Sequence, residues 1–153
     1  MKCEPGAYNI DDLARDEHTC WEGVRNFQAR NFMRDEMNVG DGVLFYASNA
    51  DPSGVTGLAT IAKTAYPDHF AWKKGHIYFD ARSTEIEPIW YMVDLAFGER
   101  FAETVSLATL KATASLDKMQ VTKKGSRLSI QPVTKPEYVT VVNLGRKAGK
   151  AAR

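Results

Sequence analysis

The pattern of hydrophobic and polar positions marks several short stretches of the chain as β-strands. Residues 43–48 and 55–65 are rich in β-branched and aromatic side chains and flank a turn-rich segment at 49–54, which predicts a pair of strands. Residues 89–101 carry apolar side chains at both alternating sets of positions, which is typical of a central strand. Gly57 interrupts the second stretch and predicts a β-bulge or a close backbone approach.

Helix signals lie between these strands. Asn9 precedes two acidic residues and predicts an N-capped helix, and helical spacing predicts a second one over residues 25–36. A short helix is expected to start at Ser106. Thr134 and Glu137 form a capping box for a final helix, which Gly145 is expected to stop.

The irregular stretch 66–87 is expected to contain a helical turn at 69–72 and a strand at 77–79. Short helices between strands, without regular βαβ alternation, indicate an α+β protein. We expect a small curved sheet or barrel with helices on its outside.

The size and charge of the chain narrow the class of protein. Its 153 residues fit one compact domain, predicted over residues 1–145, followed by a basic flexible tail at 146–153. Lys and Arg number 20 and Asp and Glu 19, so the net charge is +1. This excludes a uniformly basic protein of the histone kind but leaves room for a local basic groove.

The chain begins with polar residues and contains only short apolar runs. We therefore expect a cytoplasmic, monomeric protein with no membrane partner and with Cys3 and Cys20 as reduced thiols. A disulfide between the two cysteines is possible but has no support in the sequence.

Motifs for common chemistries are missing from the sequence. The three histidines form no i+3 or i+4 pair, and there is neither zinc-ligand spacing nor a phosphate-binding loop nor a GxSxG nucleophile elbow. We therefore predict no metal, no cofactor and no enzymatic activity, although a catalytic triad of non-adjacent residues would escape such a search.

The residues that could bind a ligand form several polar clusters. Residues 21–31 combine two guanidinium groups, three amides and an indole, which suit phosphates, base edges and base stacking, or equally the caps and surface of a helix. Ser48 and Asn49 follow a strand and form either ligand contacts or an Asx turn. Trp90 is either a stacking surface or a core residue, and the basic segment 123–127 is either a phosphate contact or a solvated turn. Together these features favour a pocket for a nucleobase.

Five blocks of sequence resemble the EVE domain, a member of the PUA-like superfamily that is related to YTH and ASCH domains. They occur in the same order as in that family, at residues 1–5, 21–33, 43–49, 90–94 and 125–133. The resemblance covers roughly residues 1–138. Cys3 stands where the family usually has serine, and Ala47 where a histidine is common.

The resemblance implies a PUA-like β-barrel of mixed strands with short peripheral helices and no catalysis. It also implies a reader that holds a modified nucleobase, chiefly a modified cytosine in DNA, in an aromatic and polar pocket. The alternatives are an RNA-binding PUA-like module and a small hydrolase acting on modified nucleosides. The predicted ligand-binding residues are Lys2, Cys3, Glu4, Trp21, Val24, Arg25, Asn26, Gln28, Arg30, Asn31, Ser48, Asn49, Trp90, Ser126, Arg127 and Gln131.

Overall fold

A five-stranded mixed sheet forms the centre of the computed structural model, which describes residues 1–151. Its strands are β1 (Lys2–Cys3), β2 (His18–Cys20), β3 (Gly42–Ala47), β4 (Gly54–Pro67) and β5 (Tyr91–Ser106). The spatial order is β1-β3-β4-β5-β2, with β1 parallel to β3 and the other pairs antiparallel. The α+β class is confirmed. The barrel is not, because over the described residues the sheet is not closed.

The long β4–β5 hairpin is bent by irregular pairing. Its register shifts between Val55 and Gly57, as the glycine in this strand predicts. A Cβ atom at Gly57 would lie 2.3 Å from the carbonyl oxygen of Glu99, so no larger residue fits without moving the backbone. The close approach predicted at this position is confirmed.

Within the described residues, four α-helices and three 3₁₀ turns surround the sheet. The helices are α1 (Ile10–Asp16), α2 (Phe27–Glu36), α3 (Leu107–Ala112) and α4 (Lys135–Ala151); the turns lie at His69–Trp72, Ala114–Leu116 and Gln120–Thr122. Asn9, Ser106 and Asn26 each accept a hydrogen bond from the first turn of their helix. The cap at Asn26 places the start of α2 slightly later than the spacing from residue 25 predicts.

Strand β3 explains why both faces of the sheet are buried. Val43 and Phe45 pack into one apolar cluster with α1 and α2, whereas Leu44 and Tyr46 pack into a second cluster with α3 and α4. This division follows from the alternation of side chains along a strand. Within residues 1–151, every helix is too short or too polar to cross a lipid bilayer.

One prediction about local structure is wrong, and a second differs only in its bounds. Residues 77–79 do not form a strand: the chain turns at Gly75 with a φ of 83°, and Phe79 N–H donates back to the carbonyl oxygen of His76. Ile77 is consequently 83% exposed. The predicted strand at 89–101 begins at Tyr91 and extends to Ser106.

Helix α4 also departs from its prediction, because it passes through Gly145 and continues to Ala151. A Cβ atom at Gly145 would lie 2.5 Å from the ring of Phe101 on β5, so the glycine permits close helix–sheet packing instead of ending the helix. Residues 146–151 of the predicted flexible tail are therefore helical, and residues 152 and 153 lie outside the described part. The domain boundary at 145 stays a prediction.

The packing role of Gly145 can be measured by comparison with Gly149, a second glycine in α4. Both Gly→Ala changes gain the same helix propensity, but a Cβ at Gly149 would meet Ala102 at an ordinary 3.4 Å. We expect Gly145→Ala to be less stable than Gly149→Ala by about 1–3 kcal/mol, the usual cost of overpacking a core. Urea denaturation of both variants measures this difference, and equal stabilities would contradict the assigned role.

Candidate nucleic-acid interface

The carboxyl ends of β1 and β3 bring several predicted residues together. The strands run parallel, with Cys3 paired to Ala47, and Ser48 N–H donates to the carbonyl oxygen of Cys3 at 3.0 Å. The chain then leaves the sheet through Asn49, whose φ is 48°. Asn49 Nδ2 donates to Glu4 Oε1 at 2.6 Å, and both side chains are exposed. An amide, a carboxylate, a hydroxyl and a thiol thus share one end of the sheet, here called the β1–β3 notch (residues 3, 4, 48 and 49).

Lys2 connects this notch to the segment 126–131. Its backbone N–H donates to the carbonyl oxygen of Ser129 at 2.8 Å, and its Nζ donates to that of Ser126 at 3.4 Å. Gln131 Nε2 in turn donates to Ser126 Oγ at 2.8 Å. Partial burial lowers the pKa of Lys2. Of this predicted group, only Arg127 extends into solvent as an exposed side chain.

An apolar wall adjoins the notch. Trp21 and Val24 belong to the same buried cluster as Phe45, and half-buried Cys3 packs against that cluster. The indole of Trp21 meets the ring of Phe45 edge-on, with the centroids 5.7 Å apart. Trp21 keeps only 9% of its surface exposed, so most of its indole ring packs inside the protein.

The two cysteines are free thiols in the structure. Burial is the main cause that raises the pKa of Cys3. Burial, together with the nearby Glu22 carboxylate, raises the pKa of Cys20 to about 11. Both side chains are therefore protonated near neutral pH, and Cys3 can offer a ligand only a weak S–H donor.

Asp68, a residue that sequence reasoning missed, holds the segment from Trp21 to Asn26 in place through hydrogen bonds. Asp68 is fully buried and accepts hydrogen bonds from Gly23 N–H at 3.0 Å and Arg25 Nη1 at 2.9 Å. Arg25 also donates to the carbonyl oxygen of Tyr78 at 2.7 Å. Its guanidinium group is thus engaged within the protein, and its predicted contact with a nucleic acid stays a prediction.

Helix α2 presents the amides and the second guanidinium group of the same sequence block. Asn26 Oδ1 caps the helix by accepting from Ala29 N–H at 3.1 Å. Arg30 Nη1 donates to the carbonyl oxygen of Ile89 at 2.9 Å and its other nitrogens donate to Asn31 Oδ1. Gln28 and Asn31 are exposed, so these two are open to a partner.

The surroundings of Trp90 differ from those of an exposed surface on which a base could stack. It is 2% exposed, stacks on Phe27 with the ring centroids 4.8 Å apart, and donates from Nε1 to Asp80 Oδ2 at 2.9 Å. Hydrogen bonds from Arg82 and then from Trp90 hold the pKa of Asp80 well below its usual range. The structure gives Trp90 a buried packing position, the alternative that the sequence left open.

A cavity of about 660 Å³ lies beside the start of β3, the end of α2 and the segment 129–138. Lys2 and Gln131 are the predicted residues that line it, together with apolar and aromatic side chains such as Phe32, Tyr46 and Tyr138. Its volume is in the range of small-molecule sites. The alternation of β3 places Tyr46 opposite Phe45, but nothing in the sequence alone indicates an opening there.

The arrangement can bind a planar polar ligand through the notch and the apolar wall. Within residues 1–151, no group of three or more His, Cys, Asp or Glu side chains is placed to hold a metal ion. The notch offers hydrogen-bonding groups, and the wall offers apolar contact.

Comparisons with known proteins agree with this fold. The model of the EVE domain family matches residues 1–144. Human thymocyte nuclear protein 1 is 41% identical over 165 residues, which cover 96% of this chain and 73% of the human protein. A crystal structure of a Pseudomonas syringae protein is 40% identical with a TM-score of 0.90, covering 94% of this chain and 96% of its own. A structure of the human THYN1 protein in complex with 5-methylcytosine-containing DNA is 39% identical with a TM-score of 0.86, covering 95% of each chain.

Proposed function

The chain belongs to the EVE domain family, and from that premise we propose that it binds DNA that contains a modified cytosine. The observation that carries this proposal is the human THYN1 protein in complex with 5-methylcytosine-containing DNA, which shares 39% of its sequence with this chain over 95% of both chains. Identity at this level over the whole fold supports a shared type of ligand.

The β1–β3 notch supplies groups that suit a cytosine ring. The carboxylate of Glu4 can accept from the exocyclic N4 amino group, as acidic side chains do when they read cytosine. Asn49 offers both a donor and an acceptor to the remaining polar edge of the base. The apolar wall formed by Trp21, Val24 and Cys3 provides contact for a 5-methyl group. The base must leave the duplex to reach these groups, at a cost of a few kcal/mol.

Fluorescence anisotropy with short oligonucleotides tests the proposal. We expect the purified protein to bind a DNA oligonucleotide with one 5-methylcytosine about fourfold more tightly than the unmodified one, since burial of the methyl group against the apolar wall contributes about 0.8 kcal/mol. The same sequence as RNA and a turnover assay with modified nucleosides serve as comparison arms. Equal affinity for both DNA oligonucleotides would contradict the proposal. Tighter binding of RNA would favour an RNA-binding module, and turnover would favour a hydrolase.

Replacing Asn49 tests the part played by the notch. Because Asn49 has a positive φ, glycine is the substitution that removes the amide without straining the backbone. We expect Asn49→Gly to weaken binding to the methylated and the unmodified oligonucleotide by a similar factor, about tenfold, because Asn49 contacts the polar edge that both bases share. Asn38→Gly, at another exposed asparagine in a turn region, is the matched control. An unchanged affinity of Asn49→Gly for the methylated oligonucleotide would exclude the notch as the base site.

A further inference from the structure

An exposed apolar residue at the tip of a basic loop has no packing role in the fold. Residues 73–79, here called the Ile77 loop, read Lys-Lys-Gly-His-Ile-Tyr-Phe and contain no acid. Ile77 is 83% exposed and Phe79 40% exposed, and Lys73 and Lys74 are exposed beside them. What distinguishes Ile77 is its setting, because a bulky aliphatic side chain beside two cations is complementary to a partner with anionic groups outside and an apolar interior.

The loop is held in one shape by its own hydrogen bonds and by aromatic stacking. His76 N–H donates to the carbonyl oxygen of Lys73, and Tyr78 N–H donates to His76 Nδ1, both at 3.1 Å. The ring of His76 stacks on Phe70 with the centroids 4.7 Å apart. A loop that is already ordered binds without the entropic cost of becoming ordered.

The tip of the loop adjoins the predicted binding segment. Tyr78, the neighbour of Ile77, accepts two hydrogen bonds from Arg25 through its carbonyl oxygen, at 2.7 and 3.2 Å. The ring of Tyr78 also covers Gly23, where an added Cβ would lie 2.5 Å from it. Since consecutive Cα atoms are about 3.8 Å apart, Ile77 lies one residue from direct contact with the segment that contains Trp21 and Asn26.

We propose that the Ile77 loop is a wedge for duplex DNA, with Ile77 entering the base stack next to the base that leaves the helix. This inference rests on the proposed function and assigns the opening of the duplex to the side chain of Ile77. Apolar side chains inserted between base steps unstack and kink DNA in this way, and the cost is repaid by contacts with the bent backbone. Lys73 and Lys74 supply the charge that neutralises the neighbouring phosphates.

Two variants test the role of Ile77 as a wedge. Ile77→Ser removes the apolar tip, and Ile86→Ser is the matched control, because Ile86 is 92% exposed and lies outside the basic loop. The probes are one duplex and one single-stranded DNA oligonucleotide, each with a single 5-methylcytosine, measured by fluorescence anisotropy. We expect Ile77→Ser to weaken duplex binding about tenfold and single-strand binding by less than about twofold, because only the duplex must be opened. Ile86→Ser is expected to match the wild type on both probes.

The outcomes separate the wedge from the proposed function. Duplex binding by Ile77→Ser as tight as that of the wild type, or an equal loss on both probes, overturns the wedge while the wild type still binds. Failure of the wild-type protein to bind either methylated probe overturns the proposed function and the wedge with it. A 2-aminopurine placed beside the 5-methylcytosine gives a second readout: its fluorescence should rise on binding of the wild type and not of Ile77→Ser.

The dependence of duplex affinity on salt concentration tests the role of the lysines in the Ile77 loop. We expect Lys74→Gln to reduce the slope of log K against log salt concentration by about 0.9, the contribution of one phosphate contact. Lys111→Gln, at an exposed lysine on α3, should leave the slope unchanged. An unaltered slope in Lys74→Gln removes the phosphate contact from the proposal.

Discussion

Replacing Asp68 with alanine is expected to lower the free energy of unfolding by about 3–5 kcal/mol. The carboxylate has no exposed surface and accepts hydrogen bonds from Gly23 N–H, Phe70 N–H and the guanidinium group of Arg25. Its removal leaves a half-buried cation and two backbone donors without their acceptor. Such losses are larger than the net contribution of the intact ion pair, because the desolvation cost of the remaining groups is no longer offset.

Chemical denaturation followed by tryptophan fluorescence measures this change. Asp35→Ala is the matched control, because Asp35 forms an ion pair with Arg34 in which both side chains are exposed. Solvent screens such pairs, so we expect the control to unfold at the denaturant concentration of the wild type. A shift of similar size in both variants would show that Asp68 is no more important than a surface carboxylate.

Asp68 also links stability to recognition. The Asp68 variant should lose discrimination for methylated DNA even under conditions where it is folded, because Gly23 lies between Trp21 and Asn26 and is fixed by that carboxylate.

Replacing Trp90 with alanine is also expected to lower the free energy of unfolding by about 3–5 kcal/mol, the usual range for a buried tryptophan. The indole is 2% exposed, stacks on Phe27 and donates to Asp80. Its removal creates a large cavity and leaves the Asp80 carboxylate without this donor. The variant therefore tests the core and not a base-stacking surface.

Phe27→Ala is the control that separates the two interpretations of Trp90. Phe27 contributes the other ring of the stack but is 49% exposed, so its loss should cost about 1 kcal/mol. Trp90→Ala should be clearly less stable than Phe27→Ala when both are unfolded in urea. A Trp90→Ala protein of wild-type stability that no longer binds methylated DNA would instead establish Trp90 as a stacking residue.

In this chain of near-neutral net charge, some cations are engaged within the protein and others are exposed. Both guanidinium groups of the 21–31 block, Arg25 and Arg30, donate to carbonyl oxygens within the protein. Exposed cations of the Ile77 loop and of the turn at 123–127 are available to phosphates. A few local cations beside a pocket predict modest non-specific affinity and a shallow dependence on salt.

Local signals in the sequence predicted most of the secondary structure. The N-cap at Asn9, the start of a short helix at Ser106 and the bulge at Gly57 were predictable, because each depends on a few neighbouring residues and on the geometry of a single turn or strand. The convergence of Glu4 with Asn49 followed only from the resemblance to a family, since the two residues are far apart in the chain.

What the tertiary structure alone decided depends on contacts between distant segments. Gly145 lies within a helix because α4 packs closely against Phe101 at this position. In an isolated helix, a glycine here would favour the end of the helix. Trp90 is buried and Asp68 is a fully desolvated acceptor because the loop from 68 to 90 folds back onto the segment at 21–26. The sequence by itself determined the family, the class of fold and most of the longer elements. Burial, the partners of each charge and the open sheet were decided by packing, because these properties arise only when surfaces from separate parts of the chain exclude water together.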